Sequence, residues 1–255
     1  LSKSKIHLII PDTQCKAGVP DDHFTALGNY IVEKQPDVIV HIGDHWDMPS
    51  LSSYDEGKAG FDQRDYLSDI AAGNEAMRLL FAPIDAYNKG KRNKYEPKCV
   101  MTWGNHDFGR IQRATESANM ARFKNVIKLE DCDTSRWKTV KFLTPIKIDG
   151  IWYCHYFIAP RSGRALGGNA HYKLNKLKFS YVMGHVQDKD SAQEYLNNGQ
   201  TIRGLQVGTF YQHDEEYHGF QGGHYWRGVH MLHEVKNGNY DHMEVSLNFL
   251  RGRYL

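Results

Sequence analysis

The chain has 255 residues, 40% hydrophobic and 24% charged, a balance that fits one large soluble domain and excludes a disordered chain. Thirty-two Lys and Arg against 30 Asp and Glu leave a formal charge of +2, far from the strongly basic character of a dedicated nucleic-acid module. The four cysteines, Cys15, Cys99, Cys132 and Cys154, form no Cys-x-x-Cys pair, so free thiols in a reducing compartment are expected.

Read in chain order, Leu1-Ser2-Lys3-Ser4-Lys5 leads into a strand over Ile6–Pro11 without the apolar region of a signal peptide. No run approaches the ~18 apolar residues of a membrane span. A cytoplasmic protein with no membrane partner is the expectation. Phe24, Leu27, Ile31 and Val32 space out a helix stripe, and Val38–Ile42 is the next strand. Tyr66, Ile70, Met77, Leu80 and Phe81 predict a longer helix between Phe61 and Asn88, kinked by Pro83. Cys99–Trp103 reads as a third strand. Further strands are predicted over Thr139–Leu143, Ile146–Ile148, Ile151–Tyr156, Phe179–Met183, Ile202–Val207, Gly228–Val235 and His242–Asn248, with a hairpin turn at Asn237-Gly238. With no repeat and no linker, residues 1–255 form a single domain of layered α/β type, with a helical insertion around 55–95.

The early strands end in polar clusters: Asp12-Thr13-Gln14, Gly43-Asp44-His45-Trp46-Asp47 and Gly104-Asn105-His106-Asp107. Later come His155 and Gly184-His185-Val186-Gln187. Loops at the carboxyl ends of strands in an open α/β sheet converge on one crevice. Asp, Asn, Gln and His are oxygen and nitrogen donors suited to divalent cations, and each glycine permits a turn that aims the next side chain inward. Any one Asp or His would more often be a cap, turn or core residue, but five such blocks in order are not explained that way.

This ordered series resembles the calcineurin-like metallophosphoesterase superfamily, whose pattern runs D-x-H, G-D-x-x-D, G-N-H-[DE], a lone His and G-H-x-H. The resemblance implies a four-layer α/β/β/α sandwich of two mixed sheets and a two-metal phosphoric ester hydrolase. It places Asp12, Gln14 and Gln187 on a first ion and Asn105, His155 and His185 on a second, with Asp44 bridging. It makes His106 the group that protonates the leaving oxygen, with Asp107 holding its ring and Asp47 orienting the ligand loops. Gln14 and Gln187 replace two histidines of the pattern, so the first ion would sit among oxygen donors and favour Mn²⁺ or Mg²⁺ over Zn²⁺, while the second suits Mn²⁺, Fe²⁺ or Zn²⁺. His45 and His213 stand as alternative ligands.

The third motif ends in Asp107 and Met48-Pro49 follows Asp47, which within the family disfavours the phosphoprotein phosphatases and fits phosphodiesterases and nucleases. The expected partner is a phosphate ester, with DNA or RNA among the candidates. Asn105 and His106 would hold its phosphate, and Arg161, Arg164 and His171 would grip its backbone from a Gly/Arg-rich loop. A second basic cluster, Lys89 to Lys98, and the aromatic residues Phe210, Tyr211, Tyr217, Phe220, Tyr225 and Trp226 are further candidates, each with local packing or a solvated face as the plainer reading. A small-molecule phosphomonoesterase and a non-catalytic binding module of the same fold remain the alternatives.

Overall fold

The computed structural model describes residues 3–53, 61–116, 126–214 and 225–255. Tyr217 and Phe220 of the aromatic group, and residues 55–60 of the expected insertion, lie outside them. The described residues form two mixed sheets. The first contains β1 (Lys5–Ile10), β2 (Val38–His41), β3 (Lys98–Thr102), β4 (Lys138–Val140), β10 (Gly228–Lys236) and β11 (Asn239–Ser246), in the order β11-β10-β1-β2-β3-β4. β1 to β4 run parallel, whereas β10 pairs antiparallel with β1 and β11. The second is β5 (Ile146–Ile148), β6 (Ile151–Tyr153), β7 (Tyr181–Met183), β9 (Thr201–Val207) and β8 (Lys189–Tyr195), in that order. The helices are α1 (Asp22–Lys34), α2 (Tyr66–Asn88), α3 (Arg110–Glu116), α4 (Ala170–Leu177) and α5 (Leu247–Tyr254).

Side-chain alternation along the strands builds the layers. Leu8, Ile10, Ile39 and Met101 face α1, α2 and α5, where they meet Leu27, Leu80 and Leu250. Ile9, Val40 and Val100 face the other way, onto Ile151, Val182 and Leu205 of the second sheet. Tyr181 and Met183 turn outward again onto Leu174 of α4. The four-layer α/β/β/α sandwich is thus written in strands that are apolar on both faces.

Several boundaries differ from the sequence reading. α2 starts at Tyr66, after a short helical turn over Phe61–Gln63, and ends at Asn88 as expected, with the Pro83 ring against Gly28 of α1. β8 was not predicted, because Lys189–Tyr195 is polar and half exposed on an edge. The predicted strand over His242–Asn248 ends at Ser246, whose side chain caps α5 by accepting from Phe249 N. Among the described residues no helix is long and apolar enough to cross a membrane.

Candidate metal centre

The parallel strands of the first sheet deliver their polar clusters to one place. Backbone hydrogen bonds join the loop after β1 to the loop after β2: Gln14 N donates to Asp44 O at 2.9 Å, Cys15 N to His45 O at 2.7 Å and Asp47 N to Cys15 O at 2.9 Å. Asp44 Oδ1 accepts from His106 N at 2.8 Å, which ties in the loop after β3. Asp12 accepts from His185 N at 3.1 Å, which ties in the loop after β7. The glycines serve this convergence by leaving room. A Cβ on Gly104 would lie 2.0 Å from Asp44 Oδ1, and one on Gly184 would lie 2.2 Å from Asp12 Oδ1. Of the motif glycines, Gly43 has positive φ, at 99°, whereas Gly104 is extended at −105°. Gln14, Asp44, His185 and Gln187 themselves have φ of 39°, 51°, 69° and 62°, unusual for non-glycine residues and typical of functional sites whose surroundings fix them.

Side chains meet at the centre of these loops. Asn105 Oδ1 is 3.0 Å from His155 Nε2 and 2.8 Å from His185 Nδ1, and Asp44 Oδ2 is 3.2 Å from His155 Nε2. One ligand atom from each of Asp44, His155 and His185 lies within 4.8 Å of the others. His155 Nδ1–H donates to Ile42 O at 2.9 Å, leaving Nε2 as the nitrogen facing the cluster, the arrangement a metal-binding imidazole adopts. Burial pushes the Asp12 carboxyl up to about 7, with the His155 charge opposing it. Burial also acts to raise Asp44, but the charges of His155 and His106 outweigh it and hold that carboxyl well below its usual range. Burial alone would lower His155, yet Asp44 and Asp12 raise it to about 10. His185 is pushed down to about 4 by burial and then by the His155 charge.

Gln14 is fully buried, and among the described residues neither its Oε1 nor its Nε2 has a hydrogen-bond partner. Such a group costs roughly 1–3 kcal/mol unless something satisfies it. A cation beside the amide would satisfy Oε1, and it would also balance the two buried carboxylates. The residues therefore fit a divalent ion. Gln187 is oriented by Tyr211, whose hydroxyl donates to Oε1 at 3.3 Å.

The two motif carboxylates exchange the roles the sequence suggested. Asp107 does not hold the His106 ring. Its oxygens accept from Gly104 N at 2.7 Å, Phe108 N at 2.7 Å and His45 N at 3.0 Å, so it organises the loop backbone. Asp47 Oδ1 lies 2.6 Å from His106 Nδ1 and holds the ring. Burial acts to raise Asp47, but His106, Arg110 and Lys16 bring it down to about 2. Burial likewise acts to lower His106, and Asp44 and Asp47 raise it above its ordinary value. Arg110 Nη1 donates to Asp47 O at 2.6 Å, and Lys16 Nζ lies 3.5 Å from Asp47 Oδ2. Neither cation was singled out in the sequence; Arg110, one helical turn beyond His106, carried the only spacing signal.

His45 is not an alternative ligand, because both ring nitrogens are engaged beneath the site. A directed chain of buried hydrogen bonds runs there. Gly43 N donates to His41 Nδ1 at 3.2 Å, and His41 Nε2–H donates to Thr13 Oγ1 at 3.2 Å. Thr13 O–H donates to His45 Nδ1 at 2.8 Å, and His45 Nε2–H donates to Gly73 O of α2 at 2.9 Å. The chain locks Thr13, between Asp12 and Gln14, to the residues on either side of Asp44.

Arg161, Arg164 and His171 are exposed, and His171 Nε2 accepts from Asn175 at 3.0 Å. Lys173 is buried and bonds Gly168 O and Gln206 Oε1, so it holds the loop and does not reach out to a substrate. Lys89 to Lys98 precede or open β3, at the opposite end of that strand from Gly104, and do not line the centre.

A family model of calcineurin-like phosphoesterases matches residues 7–242. The Gene 54 protein of Mycobacterium phage D29 is 29% identical over 138 residues, which are 50% of this chain and 48% of that protein; the chain spans about half the length of this curated relative. Among solved structures, Yfce, a phosphoesterase from E. coli, is similar at 10% identity over 95% of this chain and 100% of its own, with a TM-score of 0.42. Another solved structure is similar at 15% identity over 95% and 100%, with a TM-score of 0.38. With its motif series gathered at the strand ends and the family model matching nearly its whole length, the chain belongs to the calcineurin-like phosphoesterase family.

Proposed function

We propose that the chain is a dinuclear metal-dependent phosphodiesterase acting on nucleic acid or nucleotide-like diesters. The observation that carries this reading is the meeting of Asp44, Asn105, His155 and His185 beside Gln14, a buried amide with no hydrogen-bond partner among the described residues. Asp12, Gln14, Asp44 and Gln187 would hold one ion and Asp44, Asn105, His155 and His185 the other. The oxygen-rich first set favours Mn²⁺ or Mg²⁺, and the two imidazoles of the second accept Mn²⁺, Fe²⁺ or Zn²⁺. When bound, such ions activate water near neutral pH and offset phosphoryl charge.

The chain's own residues do the rest. In this reading Asn105 and His106 hold the phosphate. Asp47 accepts a hydrogen bond from His106 Nδ1–H and, with Asp44, favours the imidazolium, whose Nε2–H faces the leaving oxygen in this reading. As the water oxygen bonds to phosphorus and the bond to the leaving oxygen breaks, the Nε2 proton passes to that oxygen, giving an alcohol and a monoester. Arg110 and Lys16 keep Asp47 ionised through the transfer. The Asp-ending third motif supports a diester over a monoester. The exposed Arg161 and Arg164 suit a nucleic-acid backbone better than a small substrate, with DNA or RNA as partner. A cytoplasmic setting belongs to the same reading and is supported by four free cysteines.

The test is hydrolysis of bis-p-nitrophenyl phosphate against p-nitrophenyl phosphate with Mn²⁺, Mg²⁺, Zn²⁺ or EDTA, followed by single- and double-stranded DNA. Metal-dependent cleavage with the diester preferred supports the proposal. A preference for the monoester points to a phosphomonoesterase, and no turnover with any metal points to a binding module.

A further inference from the structure

Beside the metal-binding cluster stands a row of aromatic rings that the reaction chemistry leaves unused. The Tyr156 ring lies over His185 at a 40° tilt, with centroids 4.5 Å apart. Phe142 meets Tyr156 edge-on at 5.8 Å, and Phe108 lies 5.5 Å from Phe142 at 30°. Three separate loops supply them. Tyr156 directly follows His155, Phe108 is the second residue after His106, and Phe142 lies just beyond β4, the neighbour of β3. All three are half-buried: Phe108 and Phe142 pack one side against the helical core and Tyr156 against the outer face of the second sheet. Val186, between His185 and Gln187, is 42% exposed and extends the apolar rim.

Two observations set the row apart from ordinary rim packing. Leu143, the residue after Phe142, has φ of 59°, a left-handed conformation rare for a bulky side chain and retained where the surroundings dictate the loop path. The row also runs in ring contact from the loop of His106 to the candidate ligand His185, so its apolar ring surface begins where the polar cluster ends. Planar groups stack on such surfaces whatever their hydrogen-bonding edges.

We propose that Phe108, Phe142 and Tyr156 form a shelf on which a nucleobase stacks while its phosphate lies over the cluster, so that the site selects nucleotide-type esters over alkyl esters. This rests on reading the cluster as a phosphoester site. Stacking of one base is worth about tenfold to a hundredfold in affinity. The experiment is calorimetric titration of the Mn²⁺-loaded full chain with thymidine 5′-phosphate and with methyl phosphate, which needs no turnover. Wild type should bind the nucleotide at least about tenfold more tightly. That ratio should fall to within about threefold of unity in Phe142→Leu and in Tyr156→Leu, and persist in Phe142→Tyr and Tyr156→Phe. Equal affinity for both ligands in wild type, or a ratio that the leucine variants leave in place, overturns the shelf and leaves the phosphoester site standing. Failure of both ligands to bind overturns both.

Discussion

His106 Nδ1 lies 2.6 Å from Asp47 Oδ1, and no described contact joins that ring to the carboxylate next to it in sequence, Asp107. The His106 imidazole, the proton donor of the proposed reaction, is therefore held from the loop after β2, whereas its own loop uses a carboxylate to fix its backbone. The two carboxylates should fail differently.

His106→Ala should retain bound Mn²⁺ and lose activity by about 10²–10⁴-fold on diesters with poor leaving groups. Asp47→Asn should show the same pattern with a smaller loss, because it misdirects the ring without removing it. With p-nitrophenolate as leaving group, which needs little protonation, both losses should shrink. Equal losses on good and poor leaving groups would count against proton donation.

Asp107→Ala should act on the fold and on metal retention. Its oxygens accept from three backbone N–H groups, two of them buried, and hydrogen bonds to charged groups are worth about 1.5–3 kcal/mol each. A loss of several kcal/mol in urea unfolding is expected, with weakened Mn²⁺ binding. Wild-type stability in this variant would show that the carboxylate is not an organiser.

Thr13→Val keeps the shape of the side chain and breaks the chain between His41 and His45. It should lower Mn²⁺ affinity by about 10–100-fold, the usual effect of losing support behind metal ligands, and Thr13→Ser should restore it. Elemental analysis after dialysis reads the outcome. Unchanged metal retention in the valine variant would reduce the chain to simple core packing.

Two histidines away from the centre predict acid sensitivity. Burial pushes His23 down to about 4 and His230 down to about 3, and their rings donate to Phe210 O and Val207 O. In the unfolded chain both take up a proton near pH 6.5. Between that pH and the folded values the unfolded state binds more protons, so stability is full above 6.5 and falls as pH drops below it. His230→Gln should lose less melting temperature than wild type between about pH 7.5 and pH 4.5. An identical drop would contradict the assignment.

Much of this was legible in the sequence because the chemistry sits where periodicity stops. Lys5–Ile10, Val38–His41 and Lys98–Thr102 are followed within three residues by Asp12, Asp44 and Asn105, and adjacent parallel strands bring those ends together. What escaped depends on distance across the fold. Spacing cannot say whether Asp47 or Asp107 faces the His106 ring, that Tyr211 orients Gln187, or that Thr13 bridges two histidines. β8 was hidden because its residues are polar on an edge, and α4 because a glycine-rich stretch precedes the Asn169 that caps it.

The central claim is that Asp44 joins two ions into one hydrolytic centre. The most direct measurement is to titrate Mn²⁺ into EDTA-stripped protein while reading bound metal and bis-p-nitrophenyl phosphate hydrolysis together, for wild type and Asp44→Asn. Wild-type hydrolysis should rise with the second ion bound per chain, and Asp44→Asn should stay folded, bind fewer ions and hydrolyse almost nothing. Full hydrolysis by the stripped wild type, or a rate in Asp44→Asn within tenfold of wild type, would contradict the account.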